Sequence, residues 1–138
     1  MAVVVISSAE KGDRLDGSLE VKVPMAGKFP VRSAQGASKY AMQVLSAAFT
    51  PEMYSLVHHH SGVEAVYVIQ GEACYETPTH AFKLRKGETV ALPGGMPMRA
   101  AVTGSKLRYV LAVIVYDAAQ PPTMRMEDGA GPRLVACK

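Results

Sequence analysis

The residues best equipped for chemistry lie in one run, His58-His59-His60-Ser61-Gly62-Val63-Glu64-Ala65-Val66-Tyr67-Val68-Ile69-Gln70-Gly71. Imidazole and carboxylate suit divalent first-row metals, and two imidazoles with one carboxylate leave coordination positions open. Spacing decides whether they can meet. Successive strand side chains point to opposite faces, so His58 and His60 share a face and His59 takes the other. The Ser61-Gly62 break lets Glu64 open the next strand, and His58, His60 and Glu64 can then converge on one point. The expected cofactor is one divalent transition metal, Fe or Mn first, with Cu, Ni and Zn also compatible.

The elements that would position this trio are short strands. Strands are expected over 40–49, 54–60, 64–70, 73–77, 80–85, 89–92, 98–102 and 107–116, with earlier candidates at 3–6 and 19–23. Pro78-Thr79, Lys86-Gly87-Glu88, Pro93-Gly94-Gly95 and Thr103 to Lys106 punctuate them. Residues 117–138 read as a Pro/Gly-containing tail. Such a pattern indicates an all-β sandwich or barrel.

Turn chemistry sets registers. Taking Gln70-Gly71 as a two-residue hairpin turn pairs Val68 with Ala73, Val66 with Tyr75 and Glu64 with Thr77. Taking Pro78-Thr79 likewise pairs Thr77 with His80, Tyr75 with Phe82 and Ala73 with Leu84. One face then carries Glu64, Tyr75, Thr77 and His80 among apolar residues. The other pairs Glu72 with Arg85 and Cys74 with Lys83, as a solvated face does. A third hairpin, over 103–106, pairs Ala100 with Tyr109 and Met98 with Leu111, sending Met98 and Tyr109 inward and Arg99 and Arg108 outward. Tyr75, Thr77, His80 and Tyr109 are the expected pocket or supporting residues. Core filling, or a plain turn role for His80, is the alternative for each.

Composition bounds the answer. The chain has 138 residues, is 49% apolar and 20% charged, carries a net charge of +3 and has no Trp. One domain over 1–138 is expected, with a core barrel at about 40–116, an N-terminal arm over 1–39 and a tail over 117–138. Scattered basic residues give no reason to expect a nucleic-acid or membrane partner. Cys74 and Cys137 make no disulfide framework, so a reduced compartment is the simpler reading, with a single bridge as the alternative. The apolar run Ala2 to Ile6 is too short for a signal or a membrane span. The expected location is the cytoplasm.

The spacing His58-x-His60-x3-Glu64-x6-Gly71, followed by Gly87-x5-Pro93-x-Gly95, resembles the two motifs of the cupin superfamily. The resemblance covers about Tyr40 to Tyr116. It implies a double-stranded β-helix (jelly-roll) barrel, often dimeric, with a metal at one mouth, and His58, His60 and Glu64 match three of its four ligand positions. Met98 stands where the family has its fourth ligand, a histidine, and Val102 and Glu52 replace a usual asparagine and glycine. Met98 either ligates, which favours copper, or packs and leaves a two-His-one-Glu set, or the metal is weak or absent. The implied function is oxygenase-type chemistry on a small organic substrate, with isomerisation or decarboxylation at the same metal also open. The alternative is a non-catalytic cupin that binds or senses a small ligand. A homodimer is expected.

Overall fold

The computed structural model describes residues 39–127 and 130–138. The expected strands at 3–6 and 19–23 lie outside the described residues. Nine strands follow in order: β1 Tyr40–Phe49, β2 His58–His60, β3 Val63–Gln70, β4 Glu72–Glu76, β5 Ala81–Arg85, β6 Thr89–Leu92, β7 Arg99–Val102, β8 Arg108–Asp117 and β9 Thr123–Arg125. All pairings are antiparallel, in sheets ordered β1-β8-β3-β6, β5-β4-β7 and β2-β9. This is the all-β double-stranded β-helix expected from the motifs. Val66, Val68, Ala73, Tyr75, Leu92, Met98, Val110 and Ala112 form the core between the sheets.

The β4–β5 hairpin follows the register set by its turn: Tyr75 opposes Phe82, Ala73 opposes Leu84, Cys74 opposes Lys83 and Glu72 opposes Arg85. Two expected hairpins do not form. β3 pairs with β6 and β8, whereas β4 pairs with β5 and β7. Gly71 is a corner between sheets. It sits at φ 75° against the Leu107 carbonyl, where a Cβ would collide, and an irregularity between Val68 and Gln70 shifts the register with β8. Strand alternation survives such a corner, so Glu64, Val66, Val68, Ala73 and Tyr75 are all buried as expected.

The hairpin expected over 103–106 fails with a larger consequence. β8 pairs with β1 and β3, not with β7. Its buried phase is Arg108, Val110, Ala112 and Ile114, while Leu111 is exposed. The inward Tyr109 and outward Arg108 are therefore exchanged. Both phases of β8 are almost wholly apolar between Arg108 and Asp117, so Arg108 decided the expectation, and here its charge is inside.

The tail is built in. β9 pairs with β2, setting His58 opposite Arg125 and His60 opposite Thr123. Further on, Val135 N donates to Thr77 O, Cys137 N donates to buried Glu76, and Cys137 is disulfide-bonded to Cys74. Arg99 holds the same Glu76 carboxylate from the other side. The expectation of free thiols on a solvated face is corrected: Cys74 points outward, but the tail covers it and leaves it 1% exposed. Disulfides are rare in reduced cytosol, so the basis for expecting the cytoplasm is removed. No helix among the described residues is long and apolar enough to cross a membrane.

The bridge closes 63 residues of sequence separation. Replacing both cysteines with serine is expected to lower the unfolding free energy by roughly 2–4 kcal/mol, measured by urea denaturation of non-reduced protein. A free thiol titrated in the unreduced, denatured wild type would contradict the pairing.

Candidate metal centre

β2 and the start of β3 bring His58, His60 and Glu64 to one cavity of about 350 Å³. The Ser61-Gly62 step makes this possible. Gly62 passes so close to the β8 backbone that a Cβ there would collide with the Val115 carbonyl. Any side chain would push the β2 histidines away from Glu64.

Each imidazole is oriented by a backbone oxygen. His58 Nδ1 donates to Leu56 O at 2.7 Å, and His60 Nδ1 donates to Pro122 O at 3.1 Å, with Thr123 Oγ1 at 3.0 Å. A carbonyl can only accept, so Nδ1 carries the hydrogen in both rings and Nε2 is the ligating atom of the neutral form. Burial lowers the His58 pKa below its ordinary value, more than the Leu56 hydrogen bond raises it. His58 is thus neutral at pH 7, as a ligand must be.

His60 Nε2 lies 3.2 Å from Glu64 Oε2, both side chains being almost fully buried. With Nδ1 committed to Pro122, Nε2 is the ring nitrogen turned toward the Glu64 carboxylate. An imidazole nitrogen and a carboxylate oxygen that face each other at this separation would hold a divalent cation between them. The donor set and this spacing therefore fit a divalent cation. The His58 and His60 rings are 5.0 Å apart between centroids and near perpendicular. Among the described residues no three His, Cys, Asp or Glu side chains already form a group that could hold an ion, so His58 has to close on the His60–Glu64 pair.

Met98 exchanges two backbone hydrogen bonds with His58 and is wholly buried in the core. It is not on the cavity wall. Tyr75 does line the cavity, and burial pushes its hydroxyl pKa well above the ordinary phenol value. The other three expected pocket residues do not. Thr77 Oγ1 donates to His80 O and accepts from His80 N, which caps the Pro78-Thr79 turn. His80 is exposed, hydrogen-bonded to Thr79 and stacked on Phe82. Tyr109 lies on the outward phase of β8.

Sequence reasoning missed Arg108, Thr123 and Arg125, all on the cavity wall. Arg108 is 2% exposed, and its Nε and Nη1 have no hydrogen-bond partner. Its guanidinium lies over the Phe49 ring at 4.1 Å and near Tyr75 at 6.0 Å. Burial lowers its pKa, opposed by Tyr75 and Glu64. A lone arginine in an otherwise apolar strand was the available signal. Thr123 and Arg125 gave little, because Thr-Met-Arg is too short to show a period.

The cupin domain family model (Cupin_2) matches residues 47–115. This chain belongs to the cupin domain family. Among solved structures, the cupin resembles a cupin-like protein from Thermotoga maritima at 20% identity and a TM-score of 0.56, covering 62% of this chain and 64% of that one. It also resembles the DMSP lyase DddQ from Ruegeria pomeroyi at 18% identity and a TM-score of 0.56, covering 65% and 45%. A third is an S161A mutant of the Bacillus subtilis oxalate decarboxylase, at 15% identity and a TM-score of 0.53, covering 62% and 24%. The cupin thus spans less than two thirds of each of these three chains, and the likeness is one of fold. No curated protein sequence matches significantly.

The tail's part in orienting the cupin's site can be measured. Thr123→Val removes the hydroxyl beside His60 Nδ1 and is expected to cost about 1 kcal/mol in urea unfolding. Unchanged stability would show that the Pro122 carbonyl alone fixes the ring.

Proposed function

We propose that this cupin holds one divalent transition metal on His58, His60 and Glu64 and acts on a small organic molecule in the adjoining cavity. The observation that carries this reading is that His58, His60 and Glu64 line one cavity, with His60 Nε2 and Glu64 Oε2 3.2 Å apart in its buried part. The two enzymes among the structural relatives are named for oxalate and DMSP, and small molecules of that order suit a cavity of about 350 Å³.

A bound metal would supply Lewis-acid polarisation of a substrate oxygen and, with iron, manganese or copper, redox chemistry of the oxygenase type. The chain's own residues do the rest. Leu56, Pro122 and Thr123 fix the imidazoles, as partners of ligating histidines generally do. Leu45, Ala47, Phe49, Val110 and Ala112 form a wall that limits water and selects shape. Met98 packs against the core and leaves its position without a fourth ligand. Oxidation of the substrate with dioxygen is the first reaction class we propose.

The test is elemental analysis of protein purified without added metal, for wild type and His58→Ala. Near-stoichiometric iron or manganese in the wild type, lost in the variant, is expected. No metal in either, even after reconstitution, would overturn the metalloenzyme reading. It would favour a metal-free binding protein, in which His60 and Glu64 are simply a buried ion pair.

A further inference from the structure

The cavity contains a cation that the metal reading does not use. Arg108 projects inward from β8, is 2% exposed, and holds Nε and Nη1 without any partner. Among the described residues no carboxylate reaches it, since the ion pairs of Glu64, Glu72 and Glu76 are all with other residues. Its aromatic neighbours, the Phe49 face at 4.1 Å and the Tyr75 ring at 6.0 Å, stabilise a cation, but a ring face accepts no in-plane hydrogen bond. An arginine in this position is held ready for an acceptor that arrives from the cavity.

The surroundings define that acceptor. Arg125 stands at the same cavity's rim, opposite His58, so the wall carries two guanidinium groups against one carboxylate, Glu64, and the cavity favours an anion. Guanidinium donors match planar oxyanions best. The remaining wall, from Leu45 and Ala47 on β1 to Val110 and Ala112 on β8, is apolar. An anion with an apolar body therefore fits better than a bare inorganic one. We propose that the cavity binds a small organic carboxylate, with its carboxylate on Arg108 and its carbon skeleton against Leu45, Ala47 and Val110. This substrate class rests on the function proposed above only in sharing its cavity. It needs no metal, and it makes Arg108 a binding residue.

The experiment uses metal-free protein, so its outcome is independent of the metal result. Butanoate, butanamide and inorganic phosphate are titrated at millimolar concentrations and followed by calorimetry and thermal shift. Butanoate is expected to bind at least about tenfold more tightly than butanamide and more tightly than phosphate. Arg108→Met keeps the side-chain volume, removes the charge and is expected to lose this preference for butanoate over butanamide, whereas Arg125→Ala keeps most of it. Should Arg108→Met fail to fold, the comparison of ligands on the wild type still decides. Equal binding of butanoate and butanamide, no binding of either, phosphate binding best, or Arg108→Met retaining the full preference would each overturn the proposal.

Discussion

A barrel end that buries a carboxylate, an imidazole and a guanidinium, and half-buries a second imidazole, within an apolar shell must balance their charge internally. Leaving a buried donor unpaired costs about 1–3 kcal/mol, and more for a charged group. The compensation here is incomplete. His60 and Glu64 serve each other, and each imidazole Nδ1 is satisfied by a carbonyl. Arg108 is left with aromatic faces and no acceptor. The rest of the structure keeps this arrangement in place: a glycine between β2 and β3 that lies against the β8 backbone, a core that excludes solvent, and a tail that finishes the wall.

The tail makes the site a property of the whole described chain. Residues 121–125 supply the two carbonyls, the hydroxyl and the guanidinium that border the histidine strand. Beyond them the chain is anchored by Val135 to Thr77 and by Cys137 to Cys74. A covalent anchor at the far end limits how far the tail can leave the barrel.

Much of this was legible from sequence, and the failures share one cause. Alternation along a strand is local, so it put Glu64 and Tyr75 inside and Glu72 outside. The Pro78-Thr79 turn is short enough to fix a register, and every β4–β5 pair follows it. Partner choice across a corner is not local. Gln70-Gly71 has hairpin chemistry, yet the chain crosses between sheets there, because contacts with β6 and β8 hold β3. In β8, where both phases are apolar, the usual rule that charge faces water reversed the strand and hid Arg108. The expected site residues His80, Thr77 and Tyr109 fell with those registers, or with the turn that Thr77 caps. The disulfide depends on where a tail without periodicity lands, which two cysteines 63 residues apart do not reveal.

One cavity, we propose, joins a metal-binding trio to an unpaired arginine. The most direct measurement is anomalous diffraction at the metal edge from crystals grown with iron or manganese and soaked in butanoate. One anomalous peak is expected within bonding distance of His58 Nε2, His60 Nε2 and a Glu64 oxygen, with carboxylate density within hydrogen-bond distance of the Arg108 guanidinium. A cavity without an anomalous peak, or a carboxylate bound away from Arg108, would contradict it.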